Sequence, residues 1–394
     1  MRDELKATID ALTPEIVQLR RELHEHPEIR FQEKWTSDRV AQFLDAVGIS
    51  YKRGYAKGTG IVATLGDGSG KTVLLRADMD ALEIQEATGL PYASKIPNRM
   101  HACGHDGHTA CLCGVVKTLA QHKDRINGTV KFVFQPAEEE AAGGRYIVEE
   151  GVLDGVDAVF ALHGWPSLPV GSVGVRSGWT LAGADTFRIT VRGQACHGAD
   201  PAAGVDPILV AAHITTALQS IVSRELNPWD AGVVTVGKIH GGTATNIIPE
   251  TAILEGTFRS FTPEIHDAIE GAIRRIATGV ATSFRAKADV TFSEDRYPPL
   301  YNDEAMTDFA RREATTLFGA DRVIEMKSPY MGAEDFAFYL QKVPGTFLCL
   351  GVNPNSPQPY PPLHNPRYDF GDGPVPTAIA LMSTLALRYL EEHS

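Results

Sequence analysis

The sequence predicts an α/β protein of two domains, one inserted into the other. Residues 1–182 and 296–394 alternate short apolar runs, bounded by glycine-rich turns, with amphipathic helical stretches. Residues 183–295 instead spell β-α-β-β-α-β, the order of a ferredoxin-like unit. Three apolar runs of the first part lead into carboxylates or a histidine, as strands of an open α/β sheet do where their ends build a site. The expectation is a discontinuous mixed-sheet α/β domain, 1–182 plus 296–394, interrupted by the insert at 183–295.

The elements follow in order. A helix is expected over 13–26, with Thr13 as its cap, Pro14 in its first position and Ile16, Leu19 and Leu23 on one face. A second spans Ser37 to Val47, where Val40, Phe43, Leu44 and Val47 keep helical spacing and Gly48 ends it. Ile61 to Leu65 and Thr72 to Leu75 read as buried strands, the second running into Asp78 and Asp80. Helix 106–121 follows a histidine-rich loop. Strand 129–134 leads to Glu138-Glu139-Glu140 and a helix from about Ala142; strand 158–162 leads to His163.

In the insert, strand 186–191 alternates, with Phe187, Ile189 and Val191 on one face. A helix capped by Asp206 and opened by Pro207 runs to about Ser223. Strands 232–239 and 251–260, a helix from Thr262-Pro263 to near Phe284 and strand 288–292 complete the unit. Ser177-Gly178 and Tyr297-Pro298-Pro299 read as linkers. The chain resumes with helices 303–318 and 333–341, strand 346–350, a proline-rich loop 353–366 and a closing helix 375–392.

Composition excludes several functions. The 394 residues are 43% hydrophobic, as a chain with a real core is, and carry a formal charge of −12 without a basic cluster. Nucleic acid and anionic membrane surfaces are therefore poor partners. No apolar run reaches transmembrane length, and the polar start of the chain holds no signal-peptide core. Five cysteines, odd and few for this length, argue against a disulfide framework and for a reducing compartment. A cytoplasmic protein is expected.

The chemistry concentrates in Met100-His-Ala-Cys-Gly-His-Asp-Gly-His-Thr109. A thiol and several imidazoles this close together point to a metal, or less often to a thiol nucleophile. Cys103 and His105 suit a loop that wraps an ion. Glu139 and His163 arrive from two strand ends, and His364 closes the site from the far end of the chain. One thiolate, three imidazoles and one carboxylate are too many for one tetrahedral zinc. They fit two ions sharing bridging groups at about 3.5–4 Å, with Cys103 as the bridge. Thiolate beside imidazole favours zinc or another borderline transition metal over magnesium or calcium.

Glu138, beside Glu139, is suited to hold the attacking water and move its proton, although the same run also reads as a solvated acidic turn. Asp80 reads as the partner that orients a ligand histidine. Asp106 and His108 are expected only to cap and pack the following helix. Cys111, Cys113 and Cys349 read as core, and His101 is ambiguous. His24 and His26 carry no signal.

These residues resemble the co-catalytic-metal aminoacylase and carboxypeptidase family. Within it the chain is similar to the amidohydrolase branch of hippurate hydrolases, N-acyl-amino-acid amidohydrolases and plant auxin-conjugate hydrolases. The motifs LLRADMDAL, MHACGHDGHTA, QPAEE and GTATNIIPE occur in order, between Leu23-His24-Glu25-His26-Pro27-Glu28 and Leu363-His364-Asn365-Pro366. The resemblance implies metal ligands Cys103, His105, Glu139, His163 and His364, with Glu138 as general base. It implies that His197 polarises the scissile carbonyl and that Asn246 and Arg259 contact substrate. It implies a catalytic domain with a ferredoxin-like lid that also makes a homodimer. Glu83, Glu140-Ala141, Ala202 and Arg367 depart from the branch pattern, and of these Ala202 and Glu140 bear on substrate identity.

The expected activity is hydrolysis of the amide bond of N-acyl amino acids by metal-activated water, using two divalent ions per subunit: zinc, manganese, cobalt or nickel. The rivals are the same chemistry on dipeptides, a thiol hydrolase with Cys103 as nucleophile, and a metal-binding protein without catalysis.

Overall fold

The computed structural model describes residues 2–354 and 359–393. The chain divides into two compact units: Met1–Gly178 with Tyr301–Ser328 and Asp335–Ser394, and Trp179–Leu300 with Pro329–Glu334. The second unit is thus wider than 183–295 and recruits a separate short segment. Backbone pairing explains this: the Ala182 N–H donates to Tyr330 O at 3.1 Å, and Ala184 and Tyr297 exchange hydrogen bonds.

The first unit is built on an eight-stranded mixed sheet. Its strands are β1 (Ser50–Tyr55), β2 (Gly60–Gly66), β3 (Lys71–Asp78), β4 (Gly128–Gln135), β5 (Ala158–Pro169), β6 (Val173–Val175), Val323–Glu325 and Gly345–Asn353. The order is β1-β2-β4-β3-β5, then Gly345–Asn353, β6 and Val323–Glu325. β4, β3, β5 and Gly345–Asn353 run parallel, and β1 and β2 join antiparallel at one side. The central strands are buried along almost their whole length, so both faces must be covered, and they read as continuous apolar runs for that reason.

Helices α1 (Arg2–Glu25), α2 (Lys34–Val47), α3 (His105–Gln121) and Val375–Glu392 share one core with the sheet. α1 begins well before the expected cap at Thr13. Leu5, Ile9, Leu12, Ile16, Leu19 and Leu23 are all buried and spaced alternately by four and three, so one apolar stripe runs straight through Pro14. An interior proline costs about 3 kcal/mol. A buried leucine or isoleucine contributes roughly 1.5–3 kcal/mol, so the three upstream of Pro14 decide the outcome. Thr13 bonds back to Ile9 O at 2.8 Å and caps nothing.

Two further elements differ from expectation. β5 continues to Pro169, so His163 lies within a strand rather than after one, because Gly345–Asn353 keeps pairing alongside and sets Cys349 opposite His163. The helix expected over 333–341 shrinks to Ala337–Leu340.

The second unit is a four-stranded antiparallel sheet in the order Gly232–Gly241, Thr251–Ser260, Gly183–Arg192, Lys287–Phe292. Helices Pro207–Ser220 and Pro263–Ser283 bury Ile214, Leu218, Ile269 and Ile273 with Ile189, Leu254 and Phe258 of the sheet. This is the ferredoxin-like arrangement that the element order predicts. Asp206 caps the first helix through the Ile208 N–H at 2.9 Å, and Thr262 caps the second through Ile265.

Gly107, in the first turn of α3, tests how tightly the start of that helix is packed. A Cβ there would lie 2.3 Å from the Phe370 ring. Helix propensity alone would favour alanine by about 1 kcal/mol, but overpacking costs roughly 1–3 kcal/mol. Gly107→Ala is therefore expected to lower the urea midpoint of unfolding; a raised midpoint would show that Phe370 yields freely.

Candidate metal centre

Five segments of the first unit converge at the carboxyl ends of its parallel strands. β3 ends at Asp78 and leads to Asp80. The loop before α3 brings Cys103, and His105 opens the helix itself. β4 turns through Ala137 into the one-turn α4 (Glu138–Ala141), and β5 carries His163. His364 comes from the loop after Gly345–Asn353, its N–H bonded to Ala102 O at 2.8 Å.

Ligand-type atoms lie within 4.8 Å of one another in overlapping groups: Cys103, His105 and His163; Cys103, Glu139 and His364; His105, Glu138 and Glu139; Asp78, His105 and His108. Cys103 belongs to the first two groups and joins them. The structure thus gathers all five residues expected to bind metal, together with Glu138.

Asp80 fixes the arrangement. One carboxylate oxygen accepts the Glu138 N–H and the other the Glu139 N–H, each at 3.0 Å, and the same group lies 3.3 Å from His105 Nδ1. It therefore sits beside a candidate ligand histidine, where the sequence suggested. The turn it holds is strained: Ala137 and Ala142, on either side of α4, have φ of +59° and +49°. Such left-handed residues cost about 1–3 kcal/mol each and persist only where surroundings impose them. Here buried Glu33 helps, accepting the Ala137 N–H at 3.0 Å.

The electrostatics call for a cation. Burial, then Glu139, Glu138 and Asp78, push the Cys103 thiol well above its ordinary range. Burial opposes charge on His105, but Asp78, Asp80 and Glu139 outweigh it and raise the imidazole to about 10. Burial likewise opposes Glu139, yet His364 and His105 hold its carboxyl below the usual value. Buried His105 Nε2 and Glu139 Oε1 make no hydrogen bond and stand 3.8 Å apart, too far for one to satisfy the other. An ion between them would satisfy both. His163 is prepared in the same sense: its Nδ1–H donates to Gly164 O at 2.9 Å, which leaves Nε2, 3.3 Å from Cys103 Sγ, free to ligate. Burial, then His108, keeps His163 well below its ordinary value, in the neutral form a ligand needs. The residues fit a metal.

His197, Asn246 and Arg259 belong to the second unit. His197 and Asn246 are exposed neighbours on a small two-stranded ribbon, Cys196–His197 against Ile247–Ile248, with the Gly198 N–H bonded to Asn246 O at 2.8 Å. Arg259 is half-buried on the central sheet, and its Nη1 donates to Met331 O at 2.9 Å. Glu140 is exposed and paired with Arg30.

A mixed sheet with thiol, imidazole and carboxylate donors gathered at the carboxyl-end side of its parallel strands defines a class, the α/β metallohydrolases. Residues 74–388 match the peptidase family M20/M25/M40, and the chain belongs to that family. It is 40% identical to the IAA-amino acid hydrolase ILR1-like 4 of Arabidopsis thaliana over 96% of this chain and 86% of that one. It is 39% identical to the N-acetylcysteine deacetylase of Bacillus subtilis over 95% and 97% of the two chains. The solved Bacillus subtilis YXEP protein, described as a dinuclear metal binding peptidase, superimposes with a TM-score of 0.82 at 36% identity, covering 97% of this chain and 99% of that one. The resemblance to the amidohydrolase branch is borne out.

The supports of the site differ from expectation. His108 does not merely pack α3. Its Nδ1–H donates to Asp78 at 2.6 Å and its Nε2 accepts the Gly164 N–H at 2.8 Å, which ties β3 to the residue after His163. Asp106 is no cap either: it is fully buried between Arg20 Nε at 2.7 Å and His24 Nδ1 at 2.9 Å. Arg76, wholly buried in β3, donates to Asp78 at 2.5 Å and Asp335 at 2.7 Å. An arginine inside an apolar strand was the available signal.

His24 was unreadable because its partners lie far off in sequence. Burial opposes its charge, but Asp106 and then Glu86 outweigh burial and raise it to about 9. A group raised in the folded state stabilises fully below its unfolded value, near 6.5, and that stabilisation is lost as pH rises through 9. In the metal-free protein, the stability lost in His24→Gln is expected to be largest below about pH 6.5, on the order of 1–3 kcal/mol, and to shrink toward pH 9. Urea titrations at several pH values check this; a difference that grows with pH would contradict it.

Proposed function

We propose that this protein hydrolyses the amide bond of N-acyl amino acids using two divalent transition-metal ions held by Cys103, His105, Glu139, His163 and His364. One observation carries the reading: two donor groups overlap at Cys103 while buried His105 Nε2 and Glu139 Oε1 lack partners. The relatives named as amino-acid conjugate hydrolase and N-acetylcysteine deacetylase support the substrate class. Thiolate with imidazole and carboxylate suits zinc, manganese, cobalt or nickel. The ions, when bound, supply Lewis-acid activation of the carbonyl and of water.

The chain's own residues do the rest. Glu138 is the general base. Its buried carboxylate takes the proton of the attacking water and hands it to the leaving nitrogen, and Asp80 keeps it in place through the backbone. His197 accepts the Ala199 N–H at Nδ1, at 3.0 Å, so its proton is on Nε2 and available to a developing oxyanion. Asn246 and Arg259 contact the substrate, the guanidinium suiting the carboxylate of the amino acid. A Cys103 nucleophile is disfavoured, because burial and three nearby carboxylates keep that thiol protonated, the opposite of an activated cysteine.

The same reading places the enzyme in the cytoplasm, in keeping with five free cysteines. Among the described residues no helix is long and apolar enough to cross a membrane. It also makes the protein a homodimer through the second unit. There Ile208 and Leu209 of one helix and Ile239 of the edge strand are exposed, and an unpaired apolar edge is a pairing surface.

Three experiments test the reading. Glu138→Gln is expected to keep its metal but lose roughly 10²–10⁴-fold in turnover of N-acetyl and N-benzoyl amino acids. EDTA should abolish wild-type turnover and added metal restore it. Chelator-resistant turnover, or a fully active Glu138→Gln, would overturn the assignment. For the dimer, Glu138→Ala and His197→Ala chains are mixed and refolded. If each site takes His197 from its partner, half the dimers are mixed and each has one complete site, so activity returns to about a quarter of wild type. No recovery in verified mixed dimers would place His197 in its own chain's site.

A further inference from the structure

The loop that carries His364 has no regular structure to hold it. Among the described residues, 359–374 form neither helix nor strand. The His364 side chain is 52% exposed, whereas that of Glu139, 3.3 Å away, is 7% exposed. Cys103, His105 and His163 are buried. The backbone of His364 is left-handed, with φ of +63°. A histidine in that conformation is strained and stays there only where its surroundings impose it. One constraint is close by, the bond from the His364 N–H to Ala102 O. The others come from distant parts of the chain.

Asp369, further along the same loop, is where they meet. Its Oδ1 accepts from Nη2 of Arg20, a wholly buried residue of α1. Its Oδ2 accepts the Tyr92 O–H at 2.9 Å, and its backbone carbonyl accepts the Tyr360 O–H. The Tyr92 ring lies 4.9 Å from the guanidinium of Arg20 and 4.9 Å from that of Arg21, so the phenol is itself held. The Ala87 N–H adds a bond to Pro366 O at 2.8 Å. Arg20 turns its Nε to Asp106 at 2.7 Å, and Asp106 follows His105 in the chain. One guanidinium therefore joins the neighbour of one proposed ligand to the loop that carries another. Its donors point in fixed directions, so it sets the two carboxylates in a fixed relation. Burial makes the tie firm, because a buried charge must keep its partners.

We propose that Asp369 is a positioning residue for the metal centre: gripped by Arg20 and Tyr92, it keeps the loop where the His364 imidazole meets Glu139 and Cys103. The proposal rests on the metal reading given above and adds to it residues outside the donor set. Groups that hold a ligand without binding the ion commonly govern metal affinity. Cys103, Glu139 and His364 form one donor group, while the group of Cys103, His105 and His163 comes from other segments. Asp369 therefore acts on one ion and not on both.

The test measures how tightly the full chain binds each zinc(II) ion, by competition with a chelator. His364→Ala first shows which ion His364 serves, as the one it weakens. Asp369→Ala should weaken that same ion roughly 10–100-fold and leave the other unchanged. Tyr92→Phe removes one hydroxyl and keeps the ring between the arginines. It should weaken the same ion to a smaller extent, and it stands in if Asp369→Ala does not fold. In the double variant His364→Ala/Asp369→Ala the loss should not exceed that of His364→Ala alone, because residues that act through one another are not additive. A residue that merely stabilises the fold would lower the melting temperature of the metal-free chain and leave the zinc affinity of the folded chain as it was. Unchanged affinity in Asp369→Ala, or in Tyr92→Phe where it stands in, overturns the proposal. Equal weakening of both ions, or full additivity in the double variant, overturns it too. Wild-type protein that binds no zinc, or His364→Ala that binds it as wild type does, overturns the metal reading on which the proposal rests, and both results are seen before Asp369 is changed.

Discussion

The carboxylate of Asp80 is the junction on which the centre depends. It joins the end of β3, the first turn of α4 and His105 at the head of α3. Without it, two backbone N–H groups at the start of a one-turn helix would be buried and unpaired, and the Glu138–Glu139 turn would have little to hold it. A four-residue helix is far too short to sustain itself. Its geometry is imposed from outside, by Asp80 at its start and by Glu33 through Ala137. That is why the left-handed alanines flanking it can persist.

Behind this junction the sheet carries a second layer of polar groups. Arg76, Gln135 and Asp335 form a buried network in which Asp335 accepts from both side chains and from the Gly144 N–H at 2.7 Å. Burial raises Asp335 to about 6, and Arg76 restrains the shift. Arg76 also holds Asp78, which in turn orients His108, and His108 reaches Gly164. The chain of contacts runs from the centre of β3 to the backbone beside His163. Buried charge of this kind is costly unless every member is paired. Here the pairing fixes where β3 and β5 stand relative to each other at their reactive ends.

The same logic explains what could be read from the one-dimensional string. The donors themselves were legible, because a thiol and imidazoles crowded into Met100–Thr109 have no use in an apolar core. Periodicity gave α2, the central strands and the whole order of the second unit. It fails at α1, where Pro14 reads as a beginning although the apolar stripe through Leu5, Ile9 and Leu12 is already present upstream. It also fails at β5, whose extent depends on a partner strand nearly two hundred residues away. The supports were least legible: Arg20, His24 and Asp106 look like ordinary polar residues until tertiary contact buries them together.

By itself, then, the sequence determined the class of fold, the alternation that buries the sheet, and the identity of the side chains that gather at its strand ends. These follow from local spacing and from chemistry that each residue carries wherever it is placed. Only the tertiary structure decided which polar residues are supports and which face the site. Burial and pairing are properties of position, not of residue type. Asp78, Asp80 and Asp106 are the same residue in the sequence, yet one holds His108, one clamps α4 and one neutralises Arg20 and His24. The difference lies in what the folded chain brings within three ångströms of each.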